Sequence, residues 1–266
     1  MTATPTVLQG ILGDLTIAGA HLRRRAGALY WRLRDGGGPA PVEPADLPVP
    51  GTIVEIDGIR MRIDPLMSPF NVRKLADGRH TVHERALLSA HLRDDDLVME
   101  LGGGIGMVAI HCARRLGPGR VASWEGNPRM EGLIRENYAL NGVEPELHMA
   151  VLGEAPGEMT FYVAERFSHS GLTDNTGAGT PVAVPVEPYE AARARLAPTV
   201  LVVDIQGGEV TFFGHASLGG VRMILVEFHP PVTGLVPILS IRRRLRREGF
   251  REASRAGTSS VFLRDR

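Results

Sequence analysis

Residues 100–106, Glu-Leu-Gly-Gly-Gly-Ile-Gly, constrain the fold more than any other stretch of the chain. They follow an apolar run, Leu97, Val98 and Met99, that reads as a strand, and they precede residues 107–116, which read as a helix. A strand that enters a helix through spaced glycines opens a βαβ unit with a nucleoside cofactor at the turn. Glycine suits the turn because the backbone takes positive φ and a ligand can lie against bare main chain. A dinucleotide site wants G-x-G-x-x-G, so that the helix N-terminus holds a pyrophosphate. Here the third glycine of that pattern would fall on Met107; the glycines stand instead at Gly102, Gly104 and Gly106. Glu100, two residues before the first of them, repels a pyrophosphate and suits the cationic end of S-adenosylmethionine. The turn favours a methyl donor over NAD.

A second acid supports a nucleoside. Residues 121–125, Val-Ala-Ser-Trp-Glu, read as the next strand and end in Glu125. An acid at that position accepts hydrogen bonds from ribose hydroxyls. Adenosylmethionine and NAD share that requirement, so Glu125 does not separate them.

Composition sets looser bounds. With 266 residues the chain is long enough for one large α/β domain and an N-terminal extension. Thirty basic and thirty acidic residues cancel, which argues against a general polyanion-binding role and against nucleic acid as partner. The lone cysteine, Cys112, excludes a disulfide framework and a cysteine zinc site. No apolar run approaches the ~18 residues of a membrane span. The first twenty residues lack a basic start and are interrupted by Asp14, so the expectation is a cytoplasmic protein.

Residues 8–34 read as an amphipathic helix with Arg23, Arg24, Arg25, Arg32 and Arg34, a candidate homodimer element or simply a solvated face. A glycine- and proline-rich linker follows, to Pro50. Residues 52–56 and 59–63 alternate around Asp57-Gly58, a two-residue hairpin signal. Residues 82–92 read as a helix, and Asn127-Pro128 starts another that closes at Asn141-Gly142. Residues 147–152 read as the third strand, 159–163 and 182–186 as short strands, 199–204 and 221–229 as buried strands. Residues 251–253 and 259–263 read as a closing hairpin. The expected fold is α/β and Rossmann-like: a mostly parallel, twisted, seven-stranded sheet with one antiparallel strand, plus an N-terminal helix and β-hairpin extension. The expected division is residues 1–50, a helix and linker; 51–93, a hairpin and helix cap; and 94–266, the cofactor-binding domain.

Three blocks carry a family resemblance. They are residues 98–106; Trp124-Glu125-Gly126-Asn127-Pro128 with Arg135-Glu136-Asn137; and residues 203–209, Val-Asp-Ile-Gln-Gly-Gly-Glu, followed by 224–229, Ile-Leu-Val-Glu-Phe-His. Over residues 75–230 the chain resembles the FkbM family of class I S-adenosylmethionine-dependent methyltransferases. The resemblance implies O-methylation of a hydroxyl on a sugar, polyketide or related small metabolite. It implies that Glu100, Gly102, Gly104, Gly106, Glu125 and Asn127 bind the cofactor. The family usually has Glu where Gln206 stands and Pro where Gly126 stands; of its Tyr-Glu pair before the first core helix only Glu84 matches, as a substrate contact.

Methyl transfer needs an acceptor aligned with the donor and its proton removed. In open α/β sheets the ligand lies across the carboxyl ends of the strands, where Glu100, Glu125, Asp204, Glu227 and His229 fall. Asp204 is the expected proton acceptor and His229 the second candidate, with Glu227 beside the substrate. Glu209 reads as the opening of the next helix. The alternative is metal assistance, Mg²⁺ held by Asp204 and Glu227. His80-x-x-His83-Glu84 has helical metal-ligand spacing, yet ordinary polar surface explains it as well. The loop from Phe167 through His169 to Gly171, continuing through Gly179, reads as a mobile cover over the substrate or as a plain surface loop. An NAD(P)-dependent oxidoreductase and a non-catalytic nucleoside-binding protein are the other classes compatible with such a sheet.

Overall fold

The computed structural model describes residues 47–165, 167–174 and 177–265. The helix expected over 8–34 and most of the linker lie outside the described residues. Twelve strands are described: β1 Ile53–Ile56, β2 Ile59–Arg62, β3 Val98–Leu101, β4 Val121–Trp124, β5 Glu146–His148, β6 Val151–Gly153, β7 Gly157–Val163, β8 Thr180–Pro188, β9 Val200–Val203, β10 Met223–Glu227, β11 Arg251–Ala256 and β12 Ser259–Leu263. The helices are α1 Pro69–Ala76, α2 Val82–His91, α3 Met107–Leu116, α4 Glu131–Leu140, α5 Tyr189–Leu196, α6 Glu209–His215, α7 Pro230–Thr233 and α8 Leu235–Arg247.

The central sheet has seven strands in the order β11-β12-β10-β9-β3-β4-β5. β12 alone runs against its neighbours; β10, β9, β3, β4 and β5 are parallel. The inner strands read Val-Met-Glu-Leu, Val-Leu-Val-Val and Met-Ile-Leu-Val-Glu because both of their faces are covered by helices. Alternation divides their side chains between two cores. Val98, Val200, Val202, Met223 and Leu225 pack with α2, α3 and α4. Met99, Leu101, Leu201, Val203, Ile224 and Val226 pack with α5, α6 and α8. The same period puts Glu100, Asp204 and Glu227 on the first of these faces, at neighbouring strand ends. That is the Rossmann-like class I arrangement.

The expected hairpin forms, with Asp57 at φ 51° and Gly58 at φ 75°, the left-handed pair that a two-residue turn requires. It does not stand apart from the rest. Ile56, Ile59, Met61 and Ile63 belong to the same core as α3 and α4. Asn137 of α4, fully buried, accepts from Arg62 N at 2.9 Å through Oδ1 and donates through Nδ2 to Ile105 O at 2.9 Å. One amide therefore joins the hairpin to the glycine turn.

The third strand departs from expectation. Residues 147–152 are continuously apolar apart from His148, but the chain leaves the central sheet after His148. Residues from 151 enter a separate sheet of order β6-β8-β7. Hydropathy cannot mark that exit, because both segments are partly buried. What anchors it is polar and distant in sequence: Glu187 of β8 accepts from Trp124 Nε1 at 3.0 Å and bonds His148 Nδ1 at 3.0 Å. β7 and β8 are also longer than expected, and α1, with Ser68 as its N-cap and Pro69 at its first position, is a helix that the sequence reading missed.

Candidate active site

A cavity of about 1100 Å³ opens along the carboxyl ends of β3, β4, β9 and β10. Its floor is the turn after β3. Gly102, at φ +91°, admits no side chain: a Cβ there would stand 1.8 Å from the carbonyl oxygen of Asp204. Gly104, at φ +57°, has no atom within 4 Å of its Cβ position and leaves its backbone bare to the cavity. Gly106 does not line the cavity; it caps α3 and lets Tyr138 approach, since a Cβ would lie 2.8 Å from the Tyr138 ring.

Two carboxylates flank this turn. Glu125 accepts from Gly104 N through Oε2 and from Asn127 N through Oε1, both at 2.7 Å. Each oxygen keeps a second lone-pair direction for a ribose hydroxyl. Burial lifts its pKa, while the backbone N–H groups of Asn127, Gly104 and Gly126 work the other way. Asn127 is absent from the cavity wall. Its backbone orients Glu125 and its side chain accepts from Arg129 N at 3.1 Å, so it positions the site from behind. Glu100 is buried and accepts from Ser123 Oγ, the residue paired with it on β4. Burial pushes its carboxyl up to about 8, and the charge of Glu125 adds to this against the Ser123 bond. A buried acid with one hydroxyl donor fits a cationic ligand group.

The second half of the site gathers Asp204, Glu227 and His229. Their ligand-capable atoms lie within 4.8 Å of one another. Glu227 accepts from Thr258 Oγ1 at 2.7 Å, and Asp204 Oδ1 accepts from Gln206 Nε2 at 3.0 Å. Gln206 holds a left-handed φ of 50° at the end of β9, strain that fixes this corner. His229 is buried, and its Nδ1 bonds Glu209 Oε1 at 2.7 Å. Burial lowers the imidazole's pKa, but the Glu209 bond and the charges of Glu209, Asp204 and Glu227 outweigh it and raise the group to about 9. Asp204 is pushed well above the usual carboxylate range by burial first and Glu227 next, with His229 opposing.

The remaining walls come from the hairpin-side helices and the inserted sheet. Glu84 lines the cavity, is buried and accepts from Ser259 Oγ. The stretch from Phe167 to Leu172, with His169 exposed, closes one side. His80 also lines the cavity and is not grouped with His83 or Glu84; the one metal-capable group among the described residues is Asp204, Glu227 and His229. Burial, with the charges of Lys74 and Arg85, lowers His80 to about 3. Sequence reading missed Glu209 as the partner of His229. Its one signal was an acid at a helix start, and twenty residues separate the two.

A family profile described as the TRM5/TYW2 methyltransferase domain matches residues 52–158. Sheet order and glycine turn define a Rossmann-like class I methyltransferase fold, and the matched profile, over less than half of the chain, is that of a methyltransferase domain. Among solved structures, the tRNA (uracil-54, C5)-methyltransferase of Pyrococcus abyssi in complex with S-adenosyl-L-homocysteine is similar at 11% identity, over 80% of this chain and 42% of that one, with TM-score 0.46. The chain thus spans less than half the length of that enzyme. M. jannaschii TYW2 in complex with AdoMet is similar at 14% identity, over 80% of this chain and 86% of its own, with TM-score 0.40. Methyltransferase FkbM from Methylobacillus flagellatus KT is similar at 14% identity, over 75% of this chain and 56% of its own, with TM-score 0.39. No curated protein matches the chain in sequence. Among the described residues no helix is long and apolar enough to cross a membrane.

Proposed function

We propose that the chain methylates a hydroxyl of a small metabolite, a sugar, polyketide or related compound, as its resemblance to the FkbM family suggests. The observation that carries this reading is the single cavity shared by the glycine turn and by Asp204, Glu227 and His229. The residues around the turn fit S-adenosylmethionine: Gly104 leaves the floor open, Glu125 offers lone pairs to ribose hydroxyls, and Glu100 faces a cation. When bound, that cofactor supplies an electrophilic methyl group.

The chain's own work is then orientation and proton removal. An imidazole held near 9 is charged at neutral pH, so His229 does not accept the acceptor's proton. Asp204 does. Its carboxyl, lifted by burial, is a stronger base than an exposed aspartate and stands at the end of β9 on the cofactor's side of the sheet. His229, fixed by Glu209, holds the carboxylate in place electrostatically. Glu84 and His169 border the space left for the acceptor.

Calorimetry with S-adenosylhomocysteine, followed by transfer of labelled methyl to a panel of hydroxylated sugars and polyketides, tests the reading. Absence of binding at millimolar ligand rejects it. A nucleic-acid acceptor is the second reading, favoured by the basic face of α8, where Arg243, Arg246 and Arg247 border a shallow depression. Methyl incorporation into bulk RNA, weakening with salt, would select it.

A further inference from the structure

We propose that Asp204, Glu227 and His229 bind a divalent metal ion, with Glu209 as the carboxylate behind the imidazole, and that the ion receives an acceptor bearing two neighbouring oxygens. The inference rests on the methyltransferase reading for its substrate and on separate observations for the ion.

The first is the donor set. Two carboxylates and one imidazole converge from the ends of adjacent strands, with ligand-capable atoms no more than 4.8 Å apart. Donors each about 2.1 Å from one ion stand roughly 3 to 4.3 Å from each other. Small rotations of side chains bring the three to that spacing.

The second is an orphan. His229 Nε2 lies on a side chain only 1% exposed and has no hydrogen-bond partner among the described residues. It stands 3.5 Å from Asp204 Oδ1. Buried polar atoms are nearly always satisfied, and one aimed at two carboxylates invites a cation.

The third is the group behind it. Glu209, 1% exposed, takes the other ring nitrogen at 2.7 Å. A carboxylate that orients a histidine from its far side keeps the proton on Nδ1, so that an ion displaces the Nε2 proton and takes that nitrogen as its ligand. Glu209 Oε1 also accepts from Gly207 N at 3.1 Å, so the α6 start is tied to the same corner. Three carboxylates face one imidazole there. A divalent ion offsets that charge better than a proton does.

The donor set selects the ion. One imidazole with two carboxylates and room for water or substrate oxygens suits Mn²⁺ or Mg²⁺, and the imidazole tips the choice to Mn²⁺. All three side chains line the cavity, so an ion held there would be within reach of an acceptor with adjacent hydroxyls, or a hydroxyl beside a carbonyl. In the transfer the acceptor O–H bond breaks with its proton passing to the Asp204 carboxylate. An O–C bond forms, and the methyl's bond to sulfur breaks with its electron pair staying on sulfur.

The experiment is a Mn²⁺ titration of the chelator-treated full chain, followed by the loss of the free-ion spin-resonance signal. One ion per chain is expected. His229→Gln and Glu227→Gln each weaken binding at least tenfold, and Glu209→Gln about 10–100-fold. No bound Mn²⁺ at millimolar concentration, or binding in both ligand variants as tight as in the unaltered chain, overturns the inference. If a variant fails to fold, the stoichiometry of the unaltered chain decides alone. S-adenosylhomocysteine binding, measured on the same samples, separates the two readings. Cofactor bound without metal removes the ion and leaves the methyltransferase; no cofactor bound removes the methyltransferase itself.

Discussion

The two ends of the central sheet treat buried charge in opposite ways. At the amino end, just before β3, β9 and β10, Asp96 is fully buried and every contact satisfies it. Arg222 bonds both of its oxygens, Thr199 Oγ1 donates at 2.7 Å and Arg93 N at 2.7 Å. Burial works against the charge, yet these donors hold Asp96 below the ordinary aspartate range. At the carboxyl end, Glu100, Asp204 and Glu227 share a face with few donors, and burial lifts Glu100 and Asp204 instead, with the charge of Glu125 adding at the first and that of Glu227 at the second. One end is built to be complete. The other is built to be completed by a ligand.

The largest expected effect lies at the complete end. Asp96→Ala leaves Arg222 buried and unpaired, and should destabilise the chain by about 3–5 kcal/mol in denaturant melts. A loss under about 1 kcal/mol would erase the contrast. Asp204→Asn should behave the other way: transfer to any accepted substrate falls about 10²–10⁴-fold, while stability holds or rises. Full activity in that variant removes Asp204 from the mechanism.

Gly102→Ala and Gly104→Ala sharpen the comparison within the turn. The first drives a methyl into the Asp204 carbonyl and should lose about 1–3 kcal/mol along with S-adenosylhomocysteine affinity. The second meets nothing and should lose only about 1 kcal/mol for its left-handed backbone. Equal melting temperatures for the pair would contradict the geometry.

The smallest effect is a slope. The Glu100 carboxyl stands at about 8 in the folded chain against 4.5 in an ordinary setting. Between those values the folded chain keeps a proton that the unfolded chain has released. Stability therefore falls as pH rises through that window. Glu100→Gln has no such proton, so its melting temperature should exceed the parent's by a margin that grows up to about pH 8 and is flat above. Melts showing a constant margin from pH 5 to about 8 would rule this out.

Much of this was legible in the sequence, for reasons that are local. The run into Glu100, the glycine turn and the acids ending β4, β9 and β10 are contiguous patterns, and strand periodicity alone places Glu100, Asp204 and Glu227 on one face. The Glu209–His229 pair was not legible, because it depends on how α6 docks beside β10. The exit from the sheet after His148 was hidden in an apolar run that His148 alone interrupts. Asn127 and Gly106 were readable as part of the motif but not as supports standing behind the cavity wall. The sequence names the residue type; only packing says which side of the wall it occupies.

Asn137 carries a consequence of its own. Its side chain is shared between Arg62 on the hairpin and Ile105 in the glycine turn, so the hairpin buttresses that turn and, on the proposed reading, the cofactor's floor. Damage on that outer ribbon, remote from any reacting atom, would then surface as loosened nucleoside affinity.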